Sequence, residues 1–204
     1  MKNKYTLEEV MTPDIRRMLI LATAEHNNQT RRDGKTPYID HLVAVAERVI
    51  KYGGTESMVI VALGHDLIED TEQTVRSLTA GFGEGIGESI GRLSNNKFIQ
   101  STFHTKGHYL LAKMKPMEAK DLLVKICDLM CNTEDLVDQD QNFASKNIEK
   151  ARIIIDGLFE LVQAYGKTEE AKELSLFDAF MDLMVTVDNV QEQCELKWAL
   201  EDKQ

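Results

Sequence analysis

The sequence predicts an all-α fold, a single-domain helical bundle, and three observations carry that prediction. Only three prolines occur in 204 residues, so few positions forbid a helical backbone. Apolar residues recur at spacings of three and four over long segments, which is the helical period. The segments also open and close on helix signals, such as Thr12-Pro13-Asp14 at one start and Gly53-Gly54 at one stop. The length suits one large core. The expected domain is therefore 1–204, with a core over 14–165 and a C-terminal helical extension over 167–200.

In order, the first helix begins with Thr12 as N-cap, Pro13 in the first turn and Asp14 near the positive end. It is expected to bury Ile15, Met18, Leu19 and Ala22 and to end near Asn27 or Asn28. A polar stretch, Gln29 to Thr36, leads through Pro37 into a second helix from Ile39 to Lys51, which Gly53-Gly54 stops. The third helix spans Glu56 to Glu69. Its entry, Met58 to Leu63, is wholly apolar, and continuation without alternation favours a buried helix over a strand.

Two shorter helices follow, Val75 to Ala80 and Glu84 to Leu93, with the Gly81-Phe82-Gly83 break between them. The glycines at 81, 83, 85 and 87 do not form a phosphate-binding loop, because no strand precedes them and no Lys-Ser/Thr follows. Ser94 to Lys115, polar and aromatic, suits a loop or lid. Helices resume over Met117 to Leu136 and Ala144 to Ala164, the latter ended by Gly166. A final helix or broken pair from Glu169 to Leu200 carries Leu174, Phe177, Phe180, Met181, Met184 and Val185 as its core stripe, the methionines acting as core filler.

Lys and Arg number 24 against 34 Asp and Glu, a net charge of -10. No general positive field exists to hold a nucleic-acid backbone, whereas a small anionic substrate needs only a local basic pocket. Cys127, Cys131 and Cys194 make no disulfide framework and read as free thiols in a reducing compartment. Met1 to Glu9 lack an apolar run and a small-residue cleavage site, and no stretch nears the roughly 20 apolar residues of a membrane span. A cytoplasmic protein without membrane attachment is expected. The apolar C-terminal helices leave open whether they close the core or form a homo-oligomer interface.

Chemistry concentrates in Ala62-Leu63-Gly64-His65-Asp66-Leu67-Ile68-Glu69-Asp70-Thr71. One imidazole and three carboxylates occupy six consecutive positions in an apolar stretch. On a continuous helix the i,i+4 spacing would pair His65 with Glu69 and Asp66 with Asp70. Half-buried together, such groups repel or desolvate one another, and a bound cation is the simplest compensation. Asp128, in the apolar run Leu123 to Asn132, also needs a partner. His41, His65, Asp66 and Asp128 together make a plausible four-ligand set.

That order, His41, then His65-Asp66, then Asp128, resembles the signature of the HD superfamily of metal-dependent phosphohydrolases. More narrowly, the chain is similar to the hydrolase domain of the guanosine-tetraphosphate synthetase/hydrolases and to their small stand-alone metazoan-type homologues. The matching pieces are His26 with Gln29-Thr30-Arg31-Arg32, Gly34, Pro37-Tyr38-Ile39-Asp40-His41, the segment Ala62 to Thr71, Phe82-Gly83, Asn96-Lys97, and Val124-Lys125 leading to Asp128 and Asn132. They run in family order over roughly half the chain, and the joined His-Asp-x-x-Glu-Asp motif is their most specific part.

The resemblance implies an HD-type helical bundle in which His41, His65, Asp66 and Asp128 bind one divalent metal, usually Mn2+, with Zn2+, Fe2+ or Co2+ as other candidates. It implies Glu69 and Asp70 as the catalytic acidic pair, with the assignment of the base between them open. Arg31, Tyr38, Lys97, Asn132 and Lys125 would serve the substrate; for Lys125, snorkelling or an acidic partner is an equal reading. Two departures bear on substrate choice: Leu129 replaces the basic residue after the metal-binding aspartate, and Leu42 the proline after the second-segment histidine.

The implied reaction is removal of the 3′-pyrophosphate from guanosine tetra- or pentaphosphate. The alternatives are hydrolysis of another nucleotide or of the 2′-phosphate of NADPH, and a catalytically silent nucleotide-binding regulator. No synthetase or regulatory domain is expected within this length, so alarmone synthesis is not. His104 and His108, at helical spacing, read as substrate contact or surface residues more readily than as a second metal site.

Overall fold

A computed structural model describes residues 5–201, except the side chains of residues 170 and 171; residues 1–4 of the segment used to exclude a leader lie outside the described residues. The expected all-α bundle is the one found. Among the described residues there is no β-sheet, and a single antiparallel bridge joins Thr30 and Pro37. No described helix is long and apolar enough to cross a membrane.

The chain forms two compact units. The first comprises the residues up to Asn96 together with Met117–Lys125. Its helix α1 (Pro13–Glu25) is capped by the Thr12 hydroxyl, which accepts from the Ile15 amide at 3.2 Å. α1 buries Ile15, Met18 and Ala22, whereas Leu19 is only half-buried. α2 (Tyr38–Lys51) buries His41 in one stripe with Leu42, Val45, Ala46, Val49 and Ile50. Gly53, at φ 83°, turns the chain where an L side chain would be strained.

α3 (Glu56–Gly64) buries every residue from Met58 onward, because it packs against α1 and α2 and against α6 (Glu84–Leu93). Gly64 permits the approach: a Cβ there would lie 2.9 Å from both Ile90 Cδ1 and Met18 Sδ. The expected uninterrupted helix from Glu56 to Glu69 is not found. α3 ends at Gly64, His65-Asp66 form a turn, and α4 (Leu67–Asp70) starts afresh. The His65 ring nitrogen Nδ1 bonds the Ala62 carbonyl at 2.8 Å, the acceptor that a continuing helix would offer to residue 66, and Asp66 has turned to φ -102°, ψ -2°. α5 (Val75–Phe82) opens on a reciprocal cap between Thr74 and Ser77 and packs on α6.

The second unit comprises Lys97–Pro116 and Ile126–Gln204. The loop expected over Ser94 to Lys115 is largely helical instead, with α7 (Lys97–Gln100) and α8 (Lys106–Met114). α8 is capped by Thr105 and buries Tyr109, Leu110 and Met114 against α10 (Gln141–Tyr165). That apolar face decides for helix despite polar surroundings. α9 (Ala119–Glu134) contributes its later residues to this unit and runs into a 3-10 turn, Asp135–Asp138.

α11 (Glu169–Glu173) and α12 (Leu176–Glu201) are the broken pair, separated at Ser175, whose φ is 43°. The core stripe of α12 is Leu176, Ala179, Phe180, Leu183, Val187, Val190 and Cys194. Leu174 is buried as expected, but Phe177, Met181 and Val185 are 37%, 36% and 53% exposed, and Met184 is half-buried. The sequence carries two neighbouring apolar stripes, and packing on α10 selects one of them. All three cysteines are buried free thiols.

Candidate metal centre

In the first unit, α2 carries His41 and the turn after α3 carries His65 and Asp66. Packing of α2 on α3 brings them together. One ligand atom from each of His41, His65 and Asp66 falls within 4.8 Å of the others, and among the described residues no further group of three such donors occurs. The two imidazole centroids are 5.5 Å apart, and both rings are buried.

The donor chemistry fits a divalent cation. With Nδ1 bonded to the Ala62 carbonyl, the His65 ring has Nε2 3.2 Å from Asp66 Oδ2. A neutral nitrogen lone pair and a carboxylate oxygen at that range repel unless a proton or cation joins them. Asp128 lies in the second unit on α9, buried, where Asn132 Nδ2 donates to its Oδ1 one turn on.

Tyr38 ties the donor set to the acidic pair. Its hydroxyl donates to Asp66 Oδ2 at 2.7 Å and reaches Asp70 Oδ2 at 3.3 Å. Partial withdrawal from water, then the charges of Asp66 and Glu69, hold the Asp70 carboxyl above its ordinary range, against the Tyr38 hydrogen bond. Glu69, next to Asp70 on α4, accepts instead from the main-chain and side-chain nitrogens of Asn95, at 3.1 and 2.8 Å.

The end of α1 fastens the Asp70 loop. Gln29 Nε2 donates to the Asp70 carbonyl at 3.0 Å, and Gln73 Nε2 to Glu25 Oε1 at 2.7 Å. Gln29 Oε1 in turn lies 2.7 Å from His26 Nδ1. The buried His26 ring stacks on Tyr38 with centroids 4.8 Å apart.

Arg31 places its guanidinium carbon 5.5 Å from the centroid of the Tyr38 ring, beside the same cluster. Its loop is shaped by Asp33, which accepts from the Thr36 hydroxyl and from the Lys35 and Thr36 amides; those bonds lower its carboxyl to about 2. Lys97 is exposed on α7 and Asn132 half-buried on α9, both in the second unit. Lys125 is 5% exposed within α9, so any role it has is played from inside the protein. The His104 and His108 centroids stand 6.1 Å apart, and the His108 Nδ1 bonds the Thr105 hydroxyl. Nothing in the sequence marks Asn95, since an Asn-Asn pair after a helix end carries no distinguishing signal.

The HD domain profile matches residues 18–152, a span that contains every residue of this cluster. The chain belongs to the HD domain family. Among relatives of this HD chain, a probable guanosine-3′,5′-bis(diphosphate) 3′-pyrophosphohydrolase of Synechocystis is 34% identical over 117 residues, 54% of this chain and 15% of that protein. The guanosine-3′,5′-bis(diphosphate) 3′-pyrophosphohydrolase of Xenopus tropicalis is 32% identical over 118 residues, 56% of this chain and 65% of that one. The matches thus span less than two thirds of either relative.

A solved structure reported as a metazoan ortholog of SpoT that hydrolyzes ppGpp superposes with a TM-score of 0.69 at 19% identity, covering 90% of this chain and 96% of that one. A Listeria monocytogenes protein gives 0.58 at 18%, covering 76% and 97%. These superpositions show that the chain shares its fold with both structures.

Proposed function

We propose that this HD chain is a metal-dependent phosphohydrolase that removes the 3′-pyrophosphate of guanosine tetra- or pentaphosphate, leaving GDP or GTP. The observation that carries the reading is the convergence of His41, His65 and Asp66 on one point, with Tyr38 joining Asp66 to the acidic pair. The activities of the relatives support the choice of substrate. Those three residues are assigned as ligands on geometry, and Asp128 as the fourth on its place in the motif order. The whole chain is read as one HD-type domain acting in the cytoplasm.

A divalent cation, manganese in this reading, would supply Lewis acidity, lowering the pKa of a water molecule and polarising a phosphoryl oxygen. The residues of the chain do the rest. Glu69 and Asp70 orient the attacking water and take its proton. Tyr38 holds the Asp66 carboxylate in one orientation. Arg31, carried beside the cluster on the loop that Asp33 braces, supplies a planar cation for the base or phosphate of the nucleotide. Lys97, Lys125 and Asn132 are the further substrate residues of this reading.

The test is a substrate screen with the manganese-loaded chain and identification of the product. Pyrophosphate released from guanosine 3′,5′-bis(diphosphate) is the expected result. Orthophosphate from that substrate or from NADPH refutes the substrate while keeping the hydrolase, and unchanged nucleotide after prolonged incubation refutes both.

A further inference from the structure

We infer that Asn95 is a positioning residue, which orients the Glu69 carboxylate for the hydrolysis proposed above and rests on that reading. Asn95 directs two donors, its main-chain N–H at 3.1 Å and its Nδ2 at 2.8 Å, onto the same oxygen, Oε2 of Glu69. Two donors on one oxygen stop the carboxylate from rotating about its last bond. Oε1 is thereby given one fixed direction.

The donor is itself held in place. Ser94, the residue before it, closes α6 with its amide and hydroxyl both on the Ile90 carbonyl, at 3.0 and 2.8 Å. α6 packs against α3 and α4, the elements that flank the His65-Asp66 turn. The end of α6 therefore sets the orientation of a carboxylate on α4, 26 residues earlier in sequence. Asp70 is treated differently: Gln29 holds its main chain, while its side chain meets the Tyr38 hydroxyl. Glu69 thus has two donors on one carboxylate oxygen, whereas Asp70 is held by one donor on its main chain and one on its carboxylate.

The experiment compares wild type, Asn95→Ala, Asn95→Asp, Glu69→Gln and the double variant Asn95→Ala/Glu69→Gln, all loaded with Mn2+. Pyrophosphate release from guanosine 3′,5′-bis(diphosphate) gives kcat and KM, and Mn2+ affinity and melting temperature are measured on the same samples. Asn95→Ala is expected to lower kcat on the order of tenfold, the effect of one hydrogen bond to a charged group, with KM, Mn2+ affinity and melting temperature retained. Asn95→Asp, of the same shape but with the donor replaced by a like charge, is expected to lower it further. In the Glu69→Gln background, Asn95→Ala is expected to add nothing.

An unchanged kcat in both Asn95 variants overturns the inference. So does a loss that persists undiminished in the Glu69→Gln background, because Asn95 then acts through the fold. A wild-type chain that releases neither pyrophosphate nor orthophosphate overturns the hydrolase reading and the inference with it, an outcome distinct from an active enzyme indifferent to Asn95.

Discussion

Removing only the Tyr38 hydroxyl, as Tyr38→Phe, isolates one link between the proposed metal ligands and the acidic pair. The ring remains, stacked on His26 at 4.8 Å and beside Arg31, so the packing that starts α2 is kept. Two hydrogen bonds are lost, one of 2.7 Å to Asp66 and one of 3.3 Å to Asp70. A hydrogen bond to a charged group contributes about 1.5–3 kcal/mol, and the longer one to exposed Asp70 contributes least. Some 2 kcal/mol of orientation at Asp66 corresponds to about a 30-fold weaker Mn2+ Kd, within the 10- to 100-fold usual for partners of metal ligands.

The assay is calorimetric titration of Mn2+ into chelator-stripped protein at neutral pH, with thermal melts in EDTA as the control for folding. Similar melting with a Kd raised about 30-fold is the expected pair of results. A Kd within about twofold of wild type would refute the reasoning, because Asp66 would then hold its orientation without the phenol.

Asp70→Asn should become stabilising as pH rises when metal is removed. The wild-type carboxyl is raised above its ordinary 3.8 in the folded state, so its favourable contribution is full below that value and is lost as pH rises through the folded pKa. In EDTA the variant should therefore match wild type in acid and be the more stable at neutral pH; parallel denaturation curves at all pH values would exclude the repulsion. Gln29→Leu removes the donor to the Asp70 carbonyl and the contact with His26, and amide exchange over residues 71–73 should quicken roughly tenfold, the loss of one neutral hydrogen bond. Unchanged exchange there would show that the Gln73–Glu25 bond suffices. Gly87→Ala places a Cβ 2.7 Å from the Thr79 main-chain nitrogen, where α5 meets α6, and denaturant unfolding should register about 1–3 kcal/mol of overpacking. A variant as stable as wild type would mean that α5 yields.

Much of the first unit was legible because its signals are local. Thr12-Pro13 caps α1 as expected, and the apolar run Met58 to Leu63 lies wholly inside. Where expectation failed, a tertiary contact decided. The run to Glu69 has no residue that forbids helix, yet the His65 side chain, held inside by the packing of α3, takes the Ala62 carbonyl and the chain turns at Asp66. Over residues 106–114 the polar surroundings read as loop, but Tyr109, Leu110 and Met114 dock on α10 and hold a helix. α12 offered two stripes, and only the facing helix could select Leu176, Phe180 and Leu183 over Phe177, Met181 and Val185.

The sequence by itself determined that the chain is helical, that its histidines and acids stand in HD order, and that His65-Asp66 and Glu69-Asp70 form one chemical segment. These are properties of residue type and spacing, which a linear string records. Only the tertiary structure decided that His41 meets His65 and Asp66, that Tyr38 bridges Asp66 and Asp70, and that Glu69 turns to Asn95. Those contacts join residues 24 to 32 positions apart, and their distances follow from which helix faces pack together. The periodicity of a single helix carries no record of that choice.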